Sequence, residues 1–168
     1  MCSSDLYQYY IEKFLNKDNE IELKDRQIRV FDKVLHEEDE DRVKLKKLAR
    51  VLAQVSGQAV VMRFGEDSYS VGLTNLLRQP EFDDHELLLD VSQMLDEMSE
   101  AFNFELEEAS GEPEILIGEE NPFGQECTLI AGQYGLGADR GYIGVLGPRR
   151  MDYKTNYALI KKIMEMIG

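Results

Sequence analysis

The chain has 168 residues, of which 43% are hydrophobic, so it is long enough to bury a core and short enough for one compact body with helical additions. Its 33 acidic residues outnumber the 19 basic ones and give a formal net charge of -14 at pH 7. Because that charge repels a phosphate backbone, we expect this polypeptide alone to bind nucleic acid poorly.

Several broad protein classes do not fit this composition. No run approaches the roughly 18 to 20 apolar residues that a membrane helix needs, and no basic stretch leads into an apolar run as in a signal peptide. We therefore expect a soluble, cytoplasmic protein. The only cysteines are Cys2 and Cys127, and the only histidines are His36 and His85. They offer neither a disulfide framework nor a CxxC metal site, so no metal or cofactor is predicted.

The first third of the chain is predicted to be helical. Apolar residues at helical spacing in residues 7–14, behind a possible cap at Ser4 or Asp5, predict a short helix that ends near Asn16. Residues 20–56 predict two further helical pieces before a stop at Gly57. Each piece carries one narrow apolar stripe: Ile28, Phe31 and Leu35 in the first, and Leu45, Leu48, Leu52 and Val55 in the second.

Charged residues are concentrated between these two stripes. The acidic run at residues 37–41 is followed by Lys44, Lys46, Lys47 and Arg50. A solvated, charge-paired helix face and a nucleic-acid patch are both conceivable. The adjoining acidic residues leave little net positive field, which favours the first interpretation.

After Gly57 the pattern changes to that of strands. Residues 58–64 and 68–71 are predicted strands joined by a turn at 65–67. Asp83 and Glu86 have capping-box spacing ahead of a predicted helix. The apolar side of that helix would consist of Leu87, Val91, Leu95, Met98 and Phe102.

The remaining predicted elements are mostly strands. An acidic loop at 105–113 precedes strands at 115–117, 128–134 and 142–146, and Asp152 is predicted to cap a final helix. Strands that follow one another late in the chain predict an α+β fold with a mostly antiparallel sheet and packed helices, preceded by an N-terminal helical segment.

Catalytic arrangements find little support. Glu119 and Glu120 are adjacent, so on an extended segment they would point to opposite faces. The glycines at 135, 137, 144 and 147 lack the context of a nucleotide-binding loop, and we interpret them as turns and close backbone approaches. Arg149 and Arg150 could hold an anion at the last helix, but pairing with nearby carboxylates is the more ordinary arrangement. The sequence therefore predicts no enzyme.

Three segments taken together resemble the HrcA family of heat-inducible transcription repressors. They are GLTNLLRQPEF at residues 72–82, ILIGEEN at 115–121 and GYIGVLGPRRMDY at 141–153. We call them the first, second and third motif segments. Weaker similarity extends to residues 6–15 and 48–62. The resemblance implies a GAF-like α/β effector domain in a dimeric repressor of chaperone operons, whose active form a chaperonin helps to maintain.

This sequence departs from the family pattern in two places. Before Gly57 it has no wing hairpin and no basic recognition helix, so the family's winged helix-turn-helix is missing and operator binding is not expected of this chain. About ten residues separate Met62 from Gly72, a loop-sized gap where the family carries an inserted dimerisation element. We predict a helical linker or dimerisation segment at 1–56, whose stripes suit helix pairing, and an effector domain at 57–168.

Within the resemblance, twelve motif residues are expected to have structural or partner-facing roles. Four fix a turn and helix entry, three organise a strand end, and five shape the turn into the last helix. These are, in that order, Gly72, Asn75, Glu81 and Phe82; Gly118, Glu120 and Asn121; and Gly147, Pro148, Arg150, Met151 and Tyr153.

Two alternatives to the effector interpretation stay open at this point. A free-standing small-molecule sensor could line a pocket with Phe123, Tyr134 and Tyr142, although such residues usually belong to a core. A headless partner could mix into full-length repressor dimers and weaken repression.

Overall fold

The computed structural model describes residues 23–96, 111–135 and 140–168, with the side chains of residues 94 and 95 excepted. Within them are five α-helices, five strands and two 3-10 turns. The helices are α1 (Asp25–Leu35), α2 (Asp41–Ser56), α3 (Leu73–Leu77), α4 (His85–Asp96) and α5 (Tyr153–Ile167). The strands are β1 (Ala59–Phe64), β2 (Asp67–Val71), β3 (Glu114–Ile117), β4 (Cys127–Tyr134) and β5 (Gly141–Pro148), and the 3-10 turns are Pro80–Asp83 and Gly118–Glu120.

Some predictions fall outside these residues. They are the helix at residues 7–14, the part of the acidic loop at 105–110, Met98 and Phe102 of the predicted helix, and Gly137. The side chain of Leu95 is also outside them.

The strands form one open antiparallel sheet in the order β2-β1-β5-β4-β3. The β1–β2 pair is a hairpin, whereas β5 lies between β1 and β4, with Val60 opposite Val145 on one side and Ile130 opposite Val145 on the other. The predicted fold class is confirmed: an α+β body with an antiparallel sheet and packed helices after a helical segment.

Helices cover both faces of the sheet. Side chains alternate along β1, so Val60 and Met62 point to one face, which we call face A, and Ala59 and Val61 point to face B. Helices α1, α2 and α5 contribute to the core on face A. The segment from α3 to α4, together with Phe123, contributes to the core on face B.

Part of each apolar stripe of α1 and α2 lies inside the core of this chain. Phe31, Leu48 and Leu52 are fully buried on face A. Phe31, Leu48 and Leu52 are therefore not available for pairing with a second copy, whereas Ile28, Leu35, Leu45 and Val55 are only partly buried, and the dimerisation role of this segment stays a prediction. The division of the chain at residue 56 stays a prediction.

Two of the three helix ends that were predicted from local signals within the described residues are confirmed. Gly57 ends α2 in a left-handed conformation (φ 67°), as predicted, and the Asp152 side chain accepts a hydrogen bond from the Thr155 backbone N–H at 3.1 Å. The predicted cap at Asp83 is wrong by one residue. Asp83 belongs to the 3-10 turn, and Asp84 Oδ1 instead accepts the Glu86 N–H at 2.9 Å. No helix in the described part of the chain is long and apolar enough to cross a membrane.

Candidate functional site at one end of the sheet

The antiparallel order places all three motif segments at the same end of the sheet. Strands β2, β3 and β5 finish there, whereas β1 and β4 begin there. Register shows the alignment: Gly147 lies opposite Thr128, which lies opposite Ile117. We call this end of the sheet the motif end. Residues 72 and 118 directly follow β2 and β3 there, and residue 148 is the last residue of β5.

The first motif segment is joined to the helical segment by Asn75. Its side-chain amide donates to the carbonyl oxygens of Ala53 at 3.2 Å and of Gln58 at 3.0 Å. Gly72 precedes α3 with φ 75°, and a Cβ there would lie 2.9 Å from the Ala53 Cβ. Both the conformation and the close approach require glycine at this position.

The same segment anchors the core on face B. Leu76 and Phe82 are buried with Val91, Phe123 and Leu129. Phe82 therefore has a packing role in this structure.

The second motif segment turns sharply after β3. Gly118 has φ 66°, and its carbonyl accepts the Asn121 N–H at 3.1 Å. Asn121 is 5% exposed, and its Oδ1 accepts the Phe123 N–H at 3.0 Å. Asn121 Nδ2 is one of the buried polar atoms without a hydrogen-bond partner in the described part of the chain, and Glu120 is exposed on the 3-10 turn.

The third motif segment forms the turn between β5 and α5. The carbonyl of Pro148, the last residue of β5, accepts the Met151 N–H at 3.0 Å, and the Met151 side chain is buried on face A. The Tyr153 hydroxyl donates to the Arg149 carbonyl and lies 3.1 Å from Thr128 Oγ1. The segment is thereby fastened to the start of β4.

An ion pair links the first and third segments. The Arg150 guanidinium forms hydrogen bonds with both carboxylate oxygens of Glu81 and donates to Gln79 Oε1 at 2.9 Å. The hydrogen bond from Arg150 lowers the pKa of the Glu81 carboxyl below its ordinary value of 4.5. Pairing of Arg150 with a local carboxylate is thus confirmed.

This pair predicts a pH-dependent contribution to stability. Because the pKa of Glu81 is lower in the folded state, the contribution is present above pH 4.5 and is lost as the pH falls through the folded-state value. Glu81→Gln is expected to lower the free energy of unfolding at pH 7 by at most about 1 kcal/mol, since the pair is solvent-exposed. Urea titrations of both proteins from pH 7 to 3 measure this difference, which should disappear in acid. A difference that is constant across that range contradicts the assignment. Arg150→Met also removes the hydrogen bond to Gln79, but in the Glu81→Gln protein it should add no pH-dependent loss between pH 7 and 3.

Sequence reasoning missed three residues of the motif end. Gln58 and Gln79 receive the hydrogen bonds of Asn75 and Arg150, and Thr128 meets Tyr153. Gln79 lies within the first motif segment, so its position there was an available signal. Gln58 and Thr128 become neighbours of the motifs only through sheet pairing, which the local pattern does not encode.

The three aromatic residues of the proposed ligand pocket are not brought together. Tyr134 is buried on face A, and its hydroxyl donates to the Arg63 carbonyl at 2.9 Å. Tyr142 and Phe123 pack on face B. The expectation of one shared pocket is wrong because the sheet lies between these side chains.

Other reactive or charged groups show ordinary structural arrangements. Burial raises the pKa of the Cys127 thiol to about 12, which keeps it protonated. Lys47 pairs with Glu37 at 2.5 Å and Asp39 at 2.6 Å, consistent with the charge-paired helix face. The described residues contain no group of three or more His, Cys, Asp or Glu side chains that could hold a metal ion.

Comparison with known proteins identifies the family. The family model described as HrcA protein C terminal domain matches residues 9–156. The chain belongs to this family. The HrcA-family relatives are each named heat-inducible transcription repressor. The protein from Natranaerobius thermophilus is 40% identical over 97 residues, which cover 55% of this chain and 27% of the relative.

Two further HrcA relatives show the same extent of similarity. The protein from Shouchella clausii is 33% identical over 109 residues, covering 63% of this chain and 32% of its own length. One from Clostridium botulinum strain Alaska E43 is 34% identical over 101 residues, covering 58% and 29%. The matched part of this chain thus spans less than a third of the length of each of these HrcA relatives.

A solved structure supports the fold. A crystal structure described as that of a hypothetical protein at 2.2 Å resolution superposes with a TM-score of 0.73, over 96% of this chain and 76% of the other. The sequence identity is 10%, so this likeness shows the fold alone.

Proposed function

We propose that this chain is the effector and dimerisation part of an HrcA-type repressor that negatively regulates chaperone genes in the cytoplasm. Its action would be non-enzymatic: it would position DNA-reading winged-helix domains and respond to partners such as the chaperonin. The match of the HrcA C-terminal domain family to residues 9–156 is the observation that carries this proposal.

Charge supports assigning DNA contact to a different polypeptide segment. A protein that neutralises several phosphates needs a basic surface, and this chain has a net charge of -14. Two basic residues at the motif end have partners within the chain: Arg150 pairs with Glu81, and Arg149 donates to the Gln125 carbonyl at 2.7 Å.

The arrangement of the motif residues supports roles in shape rather than in chemistry. Asn75 holds two carbonyl oxygens, Phe82 fills the core, and Gly118 forms a turn. A dimer would not use Phe31, Leu48 or Leu52, because these side chains are buried within the chain. The sensor alternative loses its specific support with the separation of the three aromatic residues.

Repression by a chimeric protein tests this function. A winged-helix domain of the HrcA family would be joined ahead of this chain and expressed with a reporter gene under an inverted-repeat operator. We expect at least tenfold repression by the chimera and none by the chain or the winged-helix domain alone. Dimerisation raises the effective concentration of the second winged-helix domain at its operator half-site. Equal repression by the winged-helix domain alone would show that this chain has no effector role.

A further inference from the structure

Gln58 occupies the junction between the helical segment and the motif end. It follows Gly57, the residue that ends α2, and precedes the first residue of β1. Its backbone N–H donates to Ser56 Oγ at 3.2 Å, and its carbonyl accepts the Asn75 amide at 3.0 Å. The main chain of Gln58 therefore contacts both α2 and the first motif segment.

The Gln58 side chain reaches the third motif segment. Gln58 Oε1 is buried without a hydrogen-bond partner in the described part of the chain. A Cβ placed on Gly147 would clash with this oxygen, and would lie 2.9 Å from Gln58 Cδ and 2.7 Å from Met151 Cε. The Gln58 side chain thus fills the space that a side chain at 147 would need.

Two motif glycines face this one residue. A Cβ on Gly72 would lie 3.0 Å from the Gln58 carbonyl oxygen, although the left-handed φ of Gly72 already favours glycine. Gly147 differs, because it lies in extended β5 and is not among the glycines with positive φ. At position 147 a Cβ would meet the ends of two flexible side chains, Gln58 and Met151, and these ends would have to shift.

We infer that Gln58 is a positioning residue that fixes the helical segment against the first and third motif segments, and that the end of its side chain occupies the space beside Gly147. The Gln58 side chain occupies this place although a buried carbonyl oxygen without a donor costs stability. The regulatory meaning rests on the proposed function: a DNA-reading domain joined ahead of α2 would sense the motif end through this contact.

A double-mutant cycle on the full chain tests the inference. Gly147→Ala is expected to lower the folding equilibrium constant about threefold in the native background, because the buried ends of the Gln58 and Met151 side chains must shift. In the Gln58→Ala background the same change should cost clearly less, because only the end of the Met151 side chain then has to shift. Gln58→Met retains a long side chain and should restore the full cost. Equal costs of Gly147→Ala in the native and Gln58→Ala backgrounds would overturn the inference.

Gly144 supplies the matched control. It also lies in β5, but a Cβ there would meet Leu129 and Ala131 at 2.9 and 3.0 Å rather than Gln58. The cost of Gly144→Ala should therefore be the same with and without Gln58→Ala. A reduction equal to that seen for Gly147 would show a general loosening and would also overturn the inference.

A second measurement does not depend on the stability of Gln58→Ala. The side-chain amide resonances of Gln58 in a two-dimensional NMR spectrum should move in Gly147→Ala and stay in place in Gly144→Ala. Unmoved resonances in Gly147→Ala would contradict the contact. Both measurements use the chain without DNA. Contrary results in them would therefore contradict only the positioning role of Gln58, whereas a chimera that does not repress would contradict only the proposed function.

Discussion

Replacing Leu76 with alanine is expected to lower the free energy of unfolding by about 2–5 kcal/mol. Leu76 is 0% exposed and packs on face B with Phe82 and Val91. Removing three carbon atoms loses their transfer free energy and leaves a cavity that the surrounding side chains close only in part. Urea unfolding of the two proteins measures the difference.

The neighbouring leucine provides the control for this prediction. Leu77 lies in the same helix and the same motif segment but is 36% exposed. Leu77→Ala should cost less than about 1 kcal/mol, as for most substitutions away from the core. Similar losses at the two positions would mean that α3 does not present Leu76 to face B as described.

Asn75→Asp is expected to cost about 1–3 kcal/mol or more at pH 7. The substitution keeps the shape of the side chain but replaces the donor amide with a carboxylate oxygen. That oxygen would face the carbonyl oxygens of Ala53 and Gln58, which now lie 3.2 and 3.0 Å from Asn75 Nδ2. The two carbonyls would lose their donor and meet a negative charge.

The pH dependence separates this mechanism from a loss of packing. Two carbonyl oxygens beside the new carboxyl should raise its folded-state pKa above the ordinary value of about 3.9. The protonated form can donate one hydrogen bond, so the cost of Asn75→Asp should shrink as the pH falls from 7 towards 4. Asn75→Ala, which has no titrating group, should show a cost that does not change over that range. Parallel profiles for the two variants would contradict the hydrogen-bond assignment.

Local sequence signals were sufficient for most of the secondary structure. Strand-like runs separated by glycine-containing connections predicted the five strands, and Gly57 and Asp152 marked helix ends that the structure confirms. These features depend on residues within a few positions of each other, so periodicity and capping chemistry capture them. The cap prediction at Asp83 was wrong by one residue because Asp83 belongs to the 3-10 turn Pro80–Asp83, which ends directly before Asp84.

The assembly of the motif end depended on long-range pairing. Strand β5 inserts between β1 and β4. This strand order places Gly147 beside the Gln58 side chain and places Arg150 within hydrogen-bonding distance of Glu81. No local pattern specifies which strands become neighbours, so Gln58 was not identifiable as a contact of the motifs. The same limit explains the aromatic residues, because Tyr134 and Tyr142 belong to different strands whose facing directions depend on register.

The burial of the helical stripes has a related cause. A narrow apolar stripe predicts that a helix packs against something, but it does not say whether the partner is another copy or the chain's own sheet. Here Leu48 and Leu52 pack on face A with Val60 and Met62.

Fluorescence anisotropy with labelled operator DNA tests the central claim most directly: that this HrcA-family chain is an effector part whose DNA contacts belong to a different segment. The purified chain would be titrated into an inverted-repeat operator and into a scrambled duplex of equal length, at several salt concentrations. The account predicts weak binding, or none, with no preference between the two duplexes. Tight binding that selects the operator would contradict it.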